Sequence, residues 1–92
     1  MSHTVVTPLA DVVCTELQNG EAVLLHLDTQ KYYSLNETGL RIWHLAGQGL
    51  TVEEISQALE AQYEVSLDRA QQSVTNLVTS LAEENLVALS DS

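Results

Sequence analysis

The sequence predicts an α+β domain of winged-helix-like type, a three-stranded antiparallel sheet followed by three helices in the order βββααα. Three observations carry that expectation. Apolar and β-branched runs between residues 12 and 35 are separated by polar turn residues. Two helix-start signals follow, Asn36 and the pair Thr51 with Glu54. Apolar residues then recur at helical spacing from Leu67 to Leu81. A chain of 92 residues has room for one domain and one modest core, because chains of this size bury only about 60–65% of their unfolded surface.

Met1 to Asp11 contain the only proline, Pro8, and show no clear periodicity, so residues 1–11 are expected to form a loose, flexible leader to a domain spanning residues 12–89. Val12-Val13-Cys14-Thr15-Glu16-Leu17 is rich in β-branched residues, the first predicted strand. Asn19-Gly20 is the dipeptide that type I′ hairpin turns favour, because both residues tolerate positive φ. The second predicted strand, Glu21 to Leu27, is apolar on both faces. Asp28-Thr29-Gln30-Lys31 makes a polar turn into the third, Tyr32-Tyr33-Ser34-Leu35. The register of this second hairpin is open at the level of sequence, since a two-residue and a three-residue turn would put Tyr33 and Leu35 on opposite sides of the sheet. One of the two adjacent tyrosines must face away from the buried surface either way.

Asn36 is the N-cap of the first predicted helix, with Glu37 in its first turn complementing the dipole. Gly47 and Gly49 end it. Thr51 and Glu54 form a capping-box signature that opens a second helix through about Tyr63, with Ile55 and Leu59 on its apolar stripe. Ser66 starts the third and longest, in which Leu67, Ala70, Val74, Leu77, Val78 and Leu81 share one face through about Glu84. Asn85 suits the left-handed position after a helix; Leu86-Val87-Ala88-Leu89 adds a short strand or an apolar tail, and residues 90–92 are expected to fray. Leu35, Ile42 and Trp43 are assigned to the core.

Composition excludes several functions. Thirteen acidic residues against three basic ones give a formal charge of −10, which repels polyanions, so nucleic acid is not an expected partner and basic or neutral partners are favoured. No apolar run approaches the roughly 20 residues that span a bilayer, and the first residues lack a basic segment followed by an apolar one, so no membrane partner is expected and a cytoplasmic location is the default. With Cys14 alone, one chain can build neither a disulfide nor a multi-cysteine zinc site.

No catalytic constellation stands out, and the chain is expected not to be an enzyme, with no cofactor and no metal. Cys14 lies in an apolar strand without a nucleophile signature around it. His3, His26 and His44 fall in a tail, a strand and a helix, lacking the i, i+4 spacing that puts two imidazoles on one metal. Glu53-Glu54 and Glu83-Glu84 are neighbours in sequence only, because adjacent helical positions point about 100° apart. A winged-helix regulator that binds DNA is the structural alternative, but the third helix offers Arg69 as its sole cation against Asp68, Glu83 and Glu84.

The run from Gly20 to Trp43, and above all the string Tyr-x-Leu-Asn-x-Thr-Gly-x-x-Ile-Trp from Tyr33 to Trp43, resembles the PqqD-like family. Thr51-Val52-Glu53-Glu54-Ile55 looks like that family's second-helix start, and Tyr63-Glu64-Val65, the long helix and Asn85-Leu86-Val87 resemble its C-terminal half, so that about four-fifths of the chain takes part. The resemblance implies a RiPP recognition element, a domain that captures the leader of a ribosomally made precursor peptide and presents it to a partner enzyme. In the first-described member that partner is a radical SAM enzyme of pyrroloquinoline quinone biosynthesis; similar stand-alone domains serve lasso peptides and other products. A radical SAM enzyme, a cyclase or a leader peptidase is therefore the expected partner enzyme here.

Elementary physics fits that mechanism. The third strand of a meander is an edge whose free N–H and C=O groups can pair with an extended peptide. Lys31, Tyr32, Tyr33, Ser34 and Leu35 are that edge. The family's binding surface, third strand plus third helix, adds Arg69, Gln72, Ser73 and Asn76 as candidate peptide contacts, with the tyrosines supplying amphipathic area. The same open edge allows a third reading, a structural subunit that forms a homodimer through it.

Overall fold

The computed structural model describes residues 3–91. Its elements run β1 (Thr4–Pro8), β2 (Val12–Glu16), β3 (Ala22–His26), β4 (Tyr32–Leu35), α1 (Glu37–Ala46), α2 (Val52–Tyr63), α3 (Leu67–Glu83) and β5 (Val87–Asp91). The expected three strands and three helices are present as an antiparallel sheet ordered β2-β3-β4 followed by α1, α2 and α3. The order βββααα is extended at both ends, because β1 and β5 pair antiparallel as a second sheet, from Thr4 opposite Asp91 to Pro8 opposite Val87.

Over residues 4–8 and 90–91, that pairing puts strands where a loose leader (1–11) and a frayed tail (90–92) were expected. Val6 is fully buried, and Ser90 and Asp91 lie opposite Val5 and Thr4. The Thr4-Val5-Val6-Thr7 run has the β-branched composition of a strand, and Pro8 is tolerated because it closes a strand of a two-stranded sheet. Met1, Ser2 and Ser92 lie outside the described residues.

The hairpins differ in detail from expectation. Leu17 N–H donates to Glu21 C=O at 2.7 Å and Gly20 N–H to Leu17 C=O at 3.3 Å, with φ +85° at Gly20 and no positive φ at Asn19. This is the three-residue loop with a glycine in the left-handed position, not a type I′ turn, and glycine is needed at one position only. The second hairpin uses neither a two- nor a three-residue turn: Leu27, Asp28, Thr29 and Gln30 lie between the paired residues His26 and Lys31, with Gln30 at φ +60°. The buried imidazole of His26 organises this turn, its Nδ1 accepting from Asp28 N–H at 3.2 Å and Thr29 N–H at 3.4 Å.

That loop sets the register. Leu24 faces Tyr33 and Ala22 faces Leu35, so Tyr33 and Leu35 share the core side of the sheet with Ala22, Leu24 and His26, while Tyr32 and Ser34 share the outer side with Leu25 and Val23. The helices follow their start signals. The Asn36 side-chain oxygen accepts from Gly39 N–H at 2.8 Å, and Thr51 with Glu54 closes both bonds of a capping box. Ser66 Oγ accepts from Arg69 N–H at 3.3 Å, and α3 ends with Asn85 at φ +58° and Leu86 N–H bonded to Leu81 C=O at 2.8 Å. Ile55 and Leu59 of α2 meet Val74, Val78 and Leu81 of α3 in one core that also takes in Leu24, Leu35, Ile42 and Trp43.

Candidate functional site

Among the described residues, strand β4 has a partner on one side only. Strand β5 does not cover its open side but pairs with β1. Which backbone groups β4 leaves free follows from the alternation of an antiparallel ladder. His26 N–H donates to Lys31 C=O at 2.9 Å, so the pair 26/31 is hydrogen-bonded. Counting along the register, Leu24 with Tyr33 and Ala22 with Leu35 are hydrogen-bonded pairs too, whereas Leu25 with Tyr32 and Val23 with Ser34 are not. The N–H and C=O groups of Tyr33 and Leu35 therefore point into the sheet. Those of Tyr32 and Ser34 point out from its open edge.

Beside that edge lies a cleft of about 740 Å3. Tyr33, Ser34 and Leu35 line it from β4, Ser73, Asn76, Leu77 and Ser80 from α3, and Leu17 and Glu21 from the first hairpin. Asn36, Thr38, Gly39 and Ile42 line it at the start of α1. The helix residues fall at i, i+3, i+4 and i+7, one stripe of α3 turned toward the edge strand. Hydroxyl, amide and aliphatic groups are mixed along the walls, with Glu21 the one charged side chain among them. That carboxylate accepts from Asn19 Nδ2 at 2.8 Å.

Glycine at position 39 keeps this floor open. A Cβ there would lie 3.2 Å from both Asn36 Oδ1 and Leu35 Cδ2, so glycine lets α1 begin hard against the end of β4 without crowding its cap. The capping role read for Asn36 is observed, with Gly39 N–H as the donor, and both residues also border the cleft.

Of the nine residues proposed from sequence, Tyr33, Ser34, Leu35, Ser73 and Asn76 line this cleft. Arg69 lies further along α3, bordering a second, smaller cleft that also reaches Ser73. Lys31, Tyr32 and Gln72 line neither; all three are exposed, Tyr32 at 74% because it stands on the outer side of the sheet. Leu77 and Ser80 were not singled out, although they continue the Ser73–Asn76 stripe by one turn. Leu17 and Glu21 carry no local signal, since only hairpin closure brings them to the cleft.

Cys14, Glu16 and His44 do not line this cleft. Burial pushes the Cys14 thiol above its ordinary range and the Glu16 carboxylate adds to the effect, so the thiol is held in its protonated, weakly nucleophilic form. His44 Nε2 lies 3.2 Å from Glu16 Oε2, an exposed pair bridging β2 and α1. Among the described residues no His, Cys, Asp and Glu side chains gather as a metal-binding group, and no helix is long and apolar enough to cross a membrane. The arrangement is suited to holding an extended chain: backbone hydrogen bonds from one wall and side-chain contacts from the other.

Comparison with known proteins places the same elements in a family. A family model described as coenzyme PQQ synthesis protein D (PqqD) matches residues 21–87, from the start of β3 to the start of β5. Among solved structures, TbiB1 in complex with the TbiA(beta) leader peptide is similar at 33% identity and a TM-score of 0.80, over 88% of this chain and 93% of that one. A lasso peptide synthetase B1 complexed with the leader peptide is similar at 26% identity and a TM-score of 0.82, over 91% and 98% respectively. No curated protein is significantly similar in sequence.

Proposed function

Because the chain belongs to the PqqD family, matched over residues 21–87, we propose that it is a non-catalytic adaptor that binds the leader of a ribosomally synthesised precursor peptide as a fourth strand on β4 and presents the rest to a modifying enzyme. The observation that carries this reading is the free edge of β4, with the polar backbone groups of Tyr32 and Ser34 directed outward beside a cleft walled by α3. Both similar structures are complexes with leader peptides, which supports the same occupant here. The enzyme served is a radical SAM enzyme, a cyclase or a leader peptidase, and the setting is the cytosol, where precursor peptides are made. A nucleic-acid target is disfavoured by charge, since α3 presents Arg69 alone against Asp68 and Glu83 in a chain of net charge −10.

Amide exchange during titration with synthetic leaders from adjacent genes tests the reading. Strand addition requires the Tyr32 and Ser34 amides to gain protection on binding while those of Tyr33 and Leu35, already bonded to β3, change little; Ser73 and Asn76 resonances should shift with them. Saturating peptide that leaves Tyr32 and Ser34 exchanging as before would rule out pairing at this edge.

A further inference from the structure

The groove does not end with the edge strand. A second cleft of about 400 Å3 shares Thr38 and Ser73 with the first, so the two adjoin along α3 as successive parts of one trough-like face. Its walls are apolar, with Leu59 and Tyr63 from the end of α2, Val65 from the linker and Ala70 from α3. Arg69 borders it, and its guanidinium has no hydrogen-bond or ion-pair partner among the described residues. Arg41, in contrast, donates from Nε to Gln62 at 2.9 Å, and Lys31 borders neither cleft. Arg69 is thus the one cation on the trough of a chain whose formal charge is −10.

We propose that this second cleft is a specificity subsite for the stretch of bound peptide that runs past Leu35, taking an apolar side chain between Leu59, Tyr63 and Val65 and a neighbouring Asp or Glu on Arg69. The inference rests on the adaptor reading and adds to it a position-specific charge rule. An acidic peptide residue is repelled along most of this acidic surface, so the place where one is accepted is defined by the unpaired guanidinium, whose planar donors match a carboxylate. The apolar pocket next to it sets the spacing between the two selected side chains.

Selection of random displayed peptides on the full chain tests the rule. Peptides enriched by the wild type should carry Asp or Glu at a fixed distance from an apolar residue, and replacing that acid by its amide should weaken binding by about two- to fivefold, the range of an exposed ion pair, with the difference closing at high salt. Arg69→Glu should still select peptides but exchange the acid at that position for Lys or Arg, whereas Arg41→Glu, at a cation that borders neither cleft, should leave the preference unchanged. The fold tolerates Arg69→Glu, because the Ser66 cap bonds the backbone N–H of residue 69 and a carboxylate in the first turn favours the helix dipole. Enriched peptides with no acid at a fixed position, or the same set selected by Arg69→Glu, would overturn the subsite while leaving the adaptor intact. Failure to enrich any peptide would remove the adaptor reading and this one together.

Discussion

At the scale of single residues, the junction between β4 and α1 shows how one position serves fold and groove at once. Asn36 caps α1 through Gly39 N–H, and Gly39 leaves room for the capping oxygen and for the Leu35 side chain. Alanine in an exposed helix normally gains about 1 kcal/mol over glycine. Here it meets two atoms at 3.2 Å, one of them the cap itself, and losing the cap costs about 1 kcal/mol. Gly39→Ala is therefore expected to destabilise the wild type by about 1 kcal/mol and to be less harmful in an Asn36→Ala background, where the clashing oxygen is gone. Urea unfolding of the four variants measures this, and a stabilised Gly39→Ala single variant would contradict the geometry. The Asn36 cap was legible because capping is local chemistry. The contact of Gly39 with Leu35 needed the strand-to-helix angle, which no neighbouring residue encodes.

At the scale of elements, β4 is divided by the ladder into two kinds of residue. Tyr33 and Leu35 spend their backbone groups on β3, and Tyr32 and Ser34 offer theirs outward. Proline at these positions should separate folding from binding. Ser34→Pro removes an outward donor and is compatible with an edge strand, so the chain should fold and bind leader peptide about two- to tenfold more weakly, the range for one net hydrogen bond. Tyr33→Pro removes a donor inside the sheet and should lower stability by about 1–3 kcal/mol, the cost of leaving its partner unsatisfied, even without peptide. Circular dichroism with peptide titration reads both, and equal stability losses in the two variants would show that the register is misassigned. The helices were legible to within a residue or two because capping signals and apolar stripes agree. The second hairpin was not, because its parity depends on a four-residue loop organised by the buried His26 ring, and the strand lengths alone do not set loop length.

At the scale of the whole molecule, β1 and β5 form one two-stranded ribbon. β1 and β5 pair across nearly the entire sequence, and Val6 and Val87 are buried between that ribbon and the helices. A flexible leader would tolerate change at Val6; the observed packing predicts that Val6→Ala costs about 2 kcal/mol by cavity formation. Deleting residues 1–8 should be more harmful still, because it also strands the β5 backbone. Chemical denaturation with a measured m-value distinguishes the two outcomes, a neutral Val6→Ala restoring the loose-leader reading. Closing β5 onto β1 also bears on the proposed function: β5 is occupied away from β4, so the edge proposed to meet the peptide stays open.

What the sequence determined by itself was every feature written in neighbouring residues: the cap and capping-box positions, the apolar stripe of α3, the β-rich meander, the acidic charge, and the Tyr33-to-Trp43 string that carries the family resemblance. Tertiary structure alone decided which face each tyrosine takes, the pairing of β1 with β5, and the adjacency of two clefts along α3 at Thr38 and Ser73. The reason is physical. Capping and periodicity act over one or two turns of chain, whereas register, end-to-end pairing and groove continuity depend on loop closure and on contacts between residues far apart in sequence, whose energy appears only when the chain is folded.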